Sequence, residues 1–384
     1  MERPITIGTV TQVTSRLGLE IAKGAGDYAH EQGWATMRFD NRTRSEGAGV
    51  KNARLNGLIV QAFVDAPVAP FLRLGLPVVN VTNSRPELKL PRVAPDDERV
   101  GVMAADYFLG RGFKHFAFCG ARISGAAELR GRGFIRRCEE SGYSVDVLRG
   151  EYVLSAAYGK KSKLKDLGAW LGQLKGPVGL LGWTDDTCDT IINLCRAQRL
   201  RVPEQISILG VNNDFSRLAD HMDYALSSID LGGHEIGYRA AEMLHRLIRG
   251  KPAADDGRDV LVPPLRIVER RSTDYYAVDD APLAAALSFI KRNYHQPFQI
   301  EELARAAKLS RRVLEKRFRS KLNSSPYEEV MRQRIERAKS LLLTTSLKIQ
   351  EIGSLCGYDT GSNFTLFFTD KVGCSPSEFR RKVA

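Results

Sequence analysis

The chain has 384 residues, of which 43% are hydrophobic and 27% charged. This composition is typical of a globular protein with two or three domains and excludes a disordered tail. No apolar run reaches the roughly 20 residues of a membrane span, and the N-terminal residues show no signal peptide. We therefore expect a cytoplasmic protein without membrane association. Lys and Arg outnumber Asp and Glu by 57 to 45, a net charge of +12 that favours an anionic partner such as nucleic acid.

The first 250 residues alternate short runs rich in β-branched residues with helical stretches. The runs predicted as buried strands are 5–10, 57–63, 77–81, 115–119, 178–183 and 206–211. The stretches predicted as helices are 19–32, 98–111, 126–141 and 187–199. Alternation of this kind predicts parallel sheets with helices on both faces, and its length favours two lobes. Ligands of such folds bind beyond the carboxyl ends of the strands.

A change of pattern marks the domain boundary. Residues 262–268 form a last extended segment, and no strand-like run of comparable quality follows residue 283. We predict an α/β domain over residues 1–275, a linker over 276–283 and an all-α domain over 284–384.

The all-α part begins with two short helices at about 299–322. In the first, apolar residues recur at helical spacing, and Ser310 is suited to cap the second. The second helix has a charged outer face formed by Arg311, Arg312, Glu315, Lys316 and Arg319. This is typical of a helix-turn-helix unit, although this segment alone is equally compatible with an ordinary helical hairpin.

A second copy at about 349–371 favours the helix-turn-helix interpretation. Ile349 repeats Ile300, and a helical spacer of about 20 residues, spanning roughly 30 Å, lies between the copies. Two reading helices at that spacing suit successive major grooves, which are about 34 Å apart. Residues 276–384 also contain 19 basic and 12 acidic residues, more than half of the net charge. We therefore predict binding to double-stranded DNA with tandem half-sites. The candidate DNA contacts of the first unit are the five charged residues of its outer face, Arg311, Arg312, Glu315, Lys316 and Arg319.

The same region resembles the AraC-type transcription activators. The resemblance covers about residues 284–382 and is carried by AKSLLL at 338–343, IQEIG at 349–353, GY at 357–358, NF at 363–364, FF at 367–368, GCSP at 373–376 and FR at 379–380. By this resemblance, Arg312, Glu315 and Lys316 match DNA-contacting positions of the first reading helix. The matching positions of the second are Ser362, Asn363 and Leu366. Leu366 departs from the Arg often found there; a leucine could contact a thymine methyl, or the helix could contribute mostly positioning.

The α/β part resembles the sensing core of LacI-type repressors and periplasmic sugar-binding proteins. The resemblance is carried by VAPDD at 93–97, GFKHFAFCG at 112–120, TD at 184–185 and VPEQISILGVNN at 202–213. LacI-type proteins normally carry their DNA-binding helices at the N-terminus, whereas this chain has them at the other end. That order, and the junction at 261–275, resemble a group of xylose-responsive activators. The resemblance implies a homodimer that senses D-xylose, works with RNA polymerase, activates xylose catabolic genes and needs no cofactor.

A monosaccharide offers hydroxyls to carboxylates, amides and guanidinium groups, and its C–H faces stack on aromatic rings. The loops predicted at the strand ends supply five candidates for these contacts, Gln12, Arg16, Trp183, Asp185 and Asn212. By the resemblance, Asp185 and Asn212 match ligand-contacting positions. The family often has Asp at position 212 and a sugar-binding Arg at position 128, where this chain has Asn and Glu.

Other interpretations stay open at this point. The chain could be a repressor, or a sensor of another pentose or hexose, and its basic helices could bind protein rather than DNA. An α/β carbohydrate-processing enzyme is a further alternative. It is disfavoured because no complete dinucleotide fingerprint, P-loop, nucleophile elbow or metal-ligand spacing is found.

Overall fold

The computed structural model describes residues 4–41, 53–63, 69–150, 164–214, 226–252, 259–277, 280–322, 324–345, 347–358 and 360–383. The chain forms two compact units. Unit 1 comprises Met1–Leu109 and Lys114–Tyr275, and unit 2 comprises Gly110–Phe113 and Tyr276–Ala384.

The first lobe of unit 1 contains a four-stranded parallel sheet in the order β2-β1-β3-β4. Its strands are β1 (Thr6–Thr11), β2 (Ala35–Asp40), β3 (Gly57–Val60) and β4 (Val78–Asn80). Its helices are α1 (Arg16–Glu31), α2 (Ala69–Leu72) and α7 (Gly233–Ile248). β3 and β4 are buried along their whole length, as expected for strands covered on both faces.

The second lobe contains a six-stranded sheet in the order β12-β10-β9-β8-β6-β7, parallel except for β12. Its strands are β6 (His115–Gly120), β7 (Val145–Arg149), β8 (Val178–Gly182), β9 (Ile206–Val211), β10 (Ser227–Asp230) and β12 (Arg266–Val268). Its helices are α3 (Asp97–Leu109), α4 (Gly125–Glu140), α5 (Leu164–Gln173) and α6 (Asp185–Ala197). A separate parallel pair joins β5 (Val93–Pro95) and β11 (Val260–Val262).

In the described residues of unit 2 from 280 onward, all regular secondary structure is helical. Its helices are α8 (Ala281–Asn293), α9 (Ile300–Ala306), α10 (Arg311–Leu322), α11 (Pro326–Thr344), α12 (Ile349–Leu355), α13 (Gly361–Val372) and α14 (Pro376–Val383). Tyr276 is buried in the apolar core that α8, α9 and α10 form. The segment predicted as a linker therefore begins inside this unit.

The two helix pairs of unit 2 repeat one another. α9 and α12 have 7 residues each, and α10 and α13 have 12 each. The buried Leu314 and Phe318 of α10 correspond to the buried Phe364 and Phe368 of α13. The predicted fold class, a two-lobed α/β domain followed by an all-α domain with two helix-turn-helix units, is confirmed.

Candidate ligand cavity and nucleic-acid interface

A cavity of about 100 Å³ lies at the carboxyl ends of the strands of both lobes of unit 1. Gln12 and Gln61 reach it from the first lobe, where they follow β1 and β3. Trp183 and Asn212 reach it from the second lobe, where they follow β8 and β9. This is the position at which open parallel sheets bind their ligands.

Four of the five predicted sugar-contacting residues line this cavity, namely Gln12, Trp183, Asp185 and Asn212. Arg16 is not among the described lining residues. Its guanidinium lies 2.7 Å from the Glu20 carboxylate and 3.6 Å from that of Asp230. Its backbone N–H donates to Asp214 Oδ1 at 3.3 Å. Arg16 thus connects the start of α1, in the first lobe, to two carboxylates of the second lobe.

Asp185 is a buried carboxyl group that lines the cavity. Its Oδ1 accepts a hydrogen bond of 2.7 Å from the Ser228 hydroxyl, and its Oδ2 accepts one of 2.7 Å from the Asp214 N–H. Gly210 permits this approach, because a Cβ there would lie 2.1 Å from Asp185 Oδ1. Burial raises the pKa of Asp185 to about 8, although both hydrogen bonds oppose the shift.

The loop after β9 is held in an unfavourable backbone conformation. Asn212 and Asn213 have φ angles of 109° and 51°, in the positive-φ region that residues other than glycine rarely adopt. Polar contacts compensate for this cost: Asn213 N–H donates to Ser228 Oγ, and its side chain binds Asp230 and Arg270. The loop therefore presents Asn212 to the cavity in a fixed orientation.

Arg130 is a cavity residue that sequence reasoning missed. Its Nε donates to Asp97 Oδ1 at 2.7 Å, its Nη1 donates to the Trp183 carbonyl, and its side chain is only 5% exposed. Helix α4 can bring it there because Gly101 and Gly133 let α3 and α4 pack closely; a Cβ at either would meet backbone at 2.0–2.1 Å.

Glu128, where the LacI-type resemblance expects an arginine, points elsewhere. Its carboxylate lies 3.5 Å from Arg149, and it is not among the described lining residues. The cavity has its arginine two positions further along α4. Asp97 belongs to a stretch that carried the resemblance, but its pairing with a residue 33 positions away cannot be seen in a single sequence.

The cavity combines hydrogen-bonding groups with apolar surface. Gln61, Ser124 and Asp186 add polar side chains, and Phe63 and Leu231 add apolar ones. Within the described ranges no group of His, Cys, Asp and Glu residues could hold a metal ion. The arrangement suits a small polyhydroxylated ligand.

The five predicted DNA-contacting residues of α10 are all exposed. Arg311 is paired within the unit, since its guanidinium lies 2.9 Å from Glu315 and 3.4 Å from Glu301. Arg312 and Lys316 form no ion pair with any described residue, so α10 presents uncompensated positive charge. Ser362, Asn363 and Leu366 are likewise exposed on α13. Among the described residues, no helix combines the length and the apolar character that crossing a membrane requires.

Two family models match the two units. A model described as a periplasmic binding protein-like domain matches residues 105–273, and one described as a helix-turn-helix domain matches residues 303–382. The chain is therefore a transcription regulator in which a ligand-sensing domain is joined to a DNA-binding domain.

Two named relatives and one solved structure are similar to this chain. The xylose operon regulatory protein of Escherichia coli K12 is 28% identical over 374 residues, covering 94% of this chain and 93% of that protein. The arabinose metabolism transcriptional repressor of Geobacillus stearothermophilus is 29% identical over 287 residues, covering 70% and 76%. A solved structure of "xylose-binding transcription activator xylR" has a TM-score of 0.59 at 24% identity, covering 99% of this chain and 98% of that one.

These matches confirm the resemblance to the xylose-responsive regulators. The relatives are transcription regulators, so the alternative of a carbohydrate-processing enzyme is wrong.

Proposed function

We propose that this chain is a transcription activator controlled by D-xylose or a closely related monosaccharide. The observation that carries the proposal is the similarity to a xylose operon regulatory protein across both domains. The interlobe cavity supports it, because its carboxylates, amides and aromatic ring match the hydroxyls and C–H faces of a sugar.

In this proposal Gln12, Asp185 and Asn212 bind sugar hydroxyls and Trp183 stacks on the ring. Arg130 joins them, and Arg16 acts at the edge of the site by holding the two lobes together. Sugar binding favours the closed form of the sensing domain and thereby changes the DNA-binding state.

DNA binding is assigned to the exposed faces of α10 and α13. A homodimer would place these helices on tandem half-sites, with RNA polymerase as the partner in activation and the cytoplasm as the location. The exposed basic side chains of α10 support this assignment, because they can neutralise phosphates.

A thermal-shift panel of aldopentoses and hexoses tests the sugar assignment. A ligand that binds only the folded protein raises the melting temperature, so D-xylose should give the largest shift. Asp185→Ala should abolish that shift while leaving non-specific DNA binding intact. If no sugar raised the melting temperature, or if the variant responded normally, the assignment would be wrong.

A repressor that senses another pentose is the second candidate. It is favoured by the similarity to an arabinose metabolism transcriptional repressor, which covers 70% of this chain. The same panel separates the sugars. A transcription assay with purified RNA polymerase separates the two signs of regulation, since an activator raises transcript yield when sugar is added.

A further inference from the structure

The exposed faces of the two reading helices differ in chemistry. On α10, Arg312, Lys316 and Arg319 are exposed. On α13 the titratable residues are Asp370 and Lys371, whose charged groups lie 2.9 Å apart. α10 can therefore bind phosphates and guanine through charge, whereas α13 presents a face without net charge.

Leu366 lies on that face, which carries no net charge. It is 72% exposed, more than any other large hydrophobic residue in the described part of the chain. Phe364 and Phe368 on the same helix are fully buried and hold α13 in the core, so Leu366 has no packing role there. It follows Ser362 by four positions and Asn363 by three, which places the three side chains together on the helix surface.

These side chains match one base pair in the major groove. Thymine alone presents a methyl group there, and an apolar side chain contacts it favourably. Asparagine matches adenine, because its amide can bind N6 and N7 together. Guanine is matched by Arg or Lys, and the described outer face of α13 places neither beside Leu366.

We propose that α13 recognises an A·T-containing half-site, with Leu366 against a thymine methyl and Asn363 on an adenine edge. This rests on the proposed DNA binding. It makes Leu366 a specificity-determining residue, while α10 supplies most of the electrostatic affinity.

Deoxyuridine substitution tests the methyl contact, because uracil pairs like thymine but lacks the methyl group. Duplexes are first selected from a random library with the full-length protein and D-xylose, and each thymine of the selected site is then replaced singly. At one or two positions the wild type should lose about fourfold in affinity, the value expected for one buried methyl group. Leu366→Ala should bind the two duplexes equally at those positions.

Leu355→Ala is the matched control. Leu355 is a 47% exposed leucine on α12 of the same unit, and its replacement removes the same atoms. This variant should retain the deoxyuridine effect. Similarly, 7-deazaadenine should weaken wild-type binding at one position but not that of Asn363→Ala.

The outcomes separate the two levels of the proposal. If no sequence is enriched from the library, the proposed DNA binding fails and this inference fails with it. If a site is enriched but no thymine shows a methyl effect that depends on Leu366, the DNA-binding function stands and the inference is overturned.

Discussion

Asp185 combines a sequence-predicted role with a property that only the structure shows. The carboxyl group is buried beside the cavity and is held by Ser228 and the Asp214 backbone. Its pKa is raised from 3.8 to about 8, chiefly by burial. Between these two values the folded protein retains a proton that the unfolded chain has lost. Asp185 therefore contributes stability that is full below about pH 4 and is lost as the pH rises through 8.

Asp185→Asn should remove this pH dependence, because the amide carries no charge at any pH. Relative to the variant, the wild type should lose up to about 1.4 kcal/mol of stability per pH unit in this range. Melting temperatures of both proteins at pH 5, 6.5 and 8 provide the measurement. Asp186→Asn, a change at the next position, serves as the control. Parallel pH curves for the wild type and Asp185→Asn would show that Asp185 is already ionised in the folded protein.

At the scale of elements, the two helix-turn-helix units differ in their turns. Lys308, in the turn between α9 and α10, has a left-handed backbone conformation with a φ of +52°. Gly357 occupies the equivalent position in the turn between α12 and α13, with a φ of +82°. The two positions are separated by 49 residues, the same interval as Ile300 and Ile349. A lysine in this conformation costs about 1 kcal/mol more than a glycine.

Lys308→Gly should therefore stabilise the first helix-turn-helix unit by about 1 kcal/mol. Gly357→Ala should destabilise the second by at least as much, since a residue with a Cβ is strained at a φ of +82° and that Cβ would lie 3.1 Å from the His295 carbonyl carbon. The tryptophans are all in unit 1, so hydrogen exchange of the α9–α10 and α12–α13 amides is the suitable measurement. Unchanged protection in both variants would contradict the assigned turn conformations.

The elements that the sequence predicted are those specified by local helix signals or by a run of apolar residues. β9 and the helices α1, α4 and α6 lie within a few residues of their predicted bounds. β2 was missed because four of its six residues are exposed, which leaves no apolar pattern. β10 was missed because its serines are buried through tertiary hydrogen bonds: Ser227 binds Thr273, and Ser228 binds Asp185.

The residues of the cavity show the same limit of prediction from sequence. Loops at strand ends could be identified from the strand pattern, and this located Gln12, Trp183, Asp185 and Asn212. Arg130 lies within a helix, where its sequence context predicts an exposed surface residue. Only its partner Asp97 and the close packing of α3 on α4 explain why it is buried. Residues whose role depends on a distant partner cannot be assigned from spacing.

At the scale of the whole molecule, charge and sensing are assigned to different units. Ten Lys and Arg residues and four Glu lie between positions 311 and 339 in unit 2, whereas the ligand cavity lies in unit 1. If the units act as proposed, a charge change in one should leave the intrinsic binding of the other intact. Salt dependence measures the number of phosphates that the protein neutralises, because each contact releases a counterion.

Lys316→Ala should therefore weaken DNA binding by a similar factor on every sequence and reduce the slope of log K against log salt by about 1. The xylose-induced change in melting temperature should be unaffected. Arg132→Ala removes the same charge from the exposed surface of unit 1 and should leave the slope as it is in the wild type. Filter-binding titrations at four salt concentrations measure both slopes. A slope that Lys316→Ala left unchanged would refute the docking face on α10, because a lysine that neutralises a phosphate cannot be removed without changing the number of counterions released.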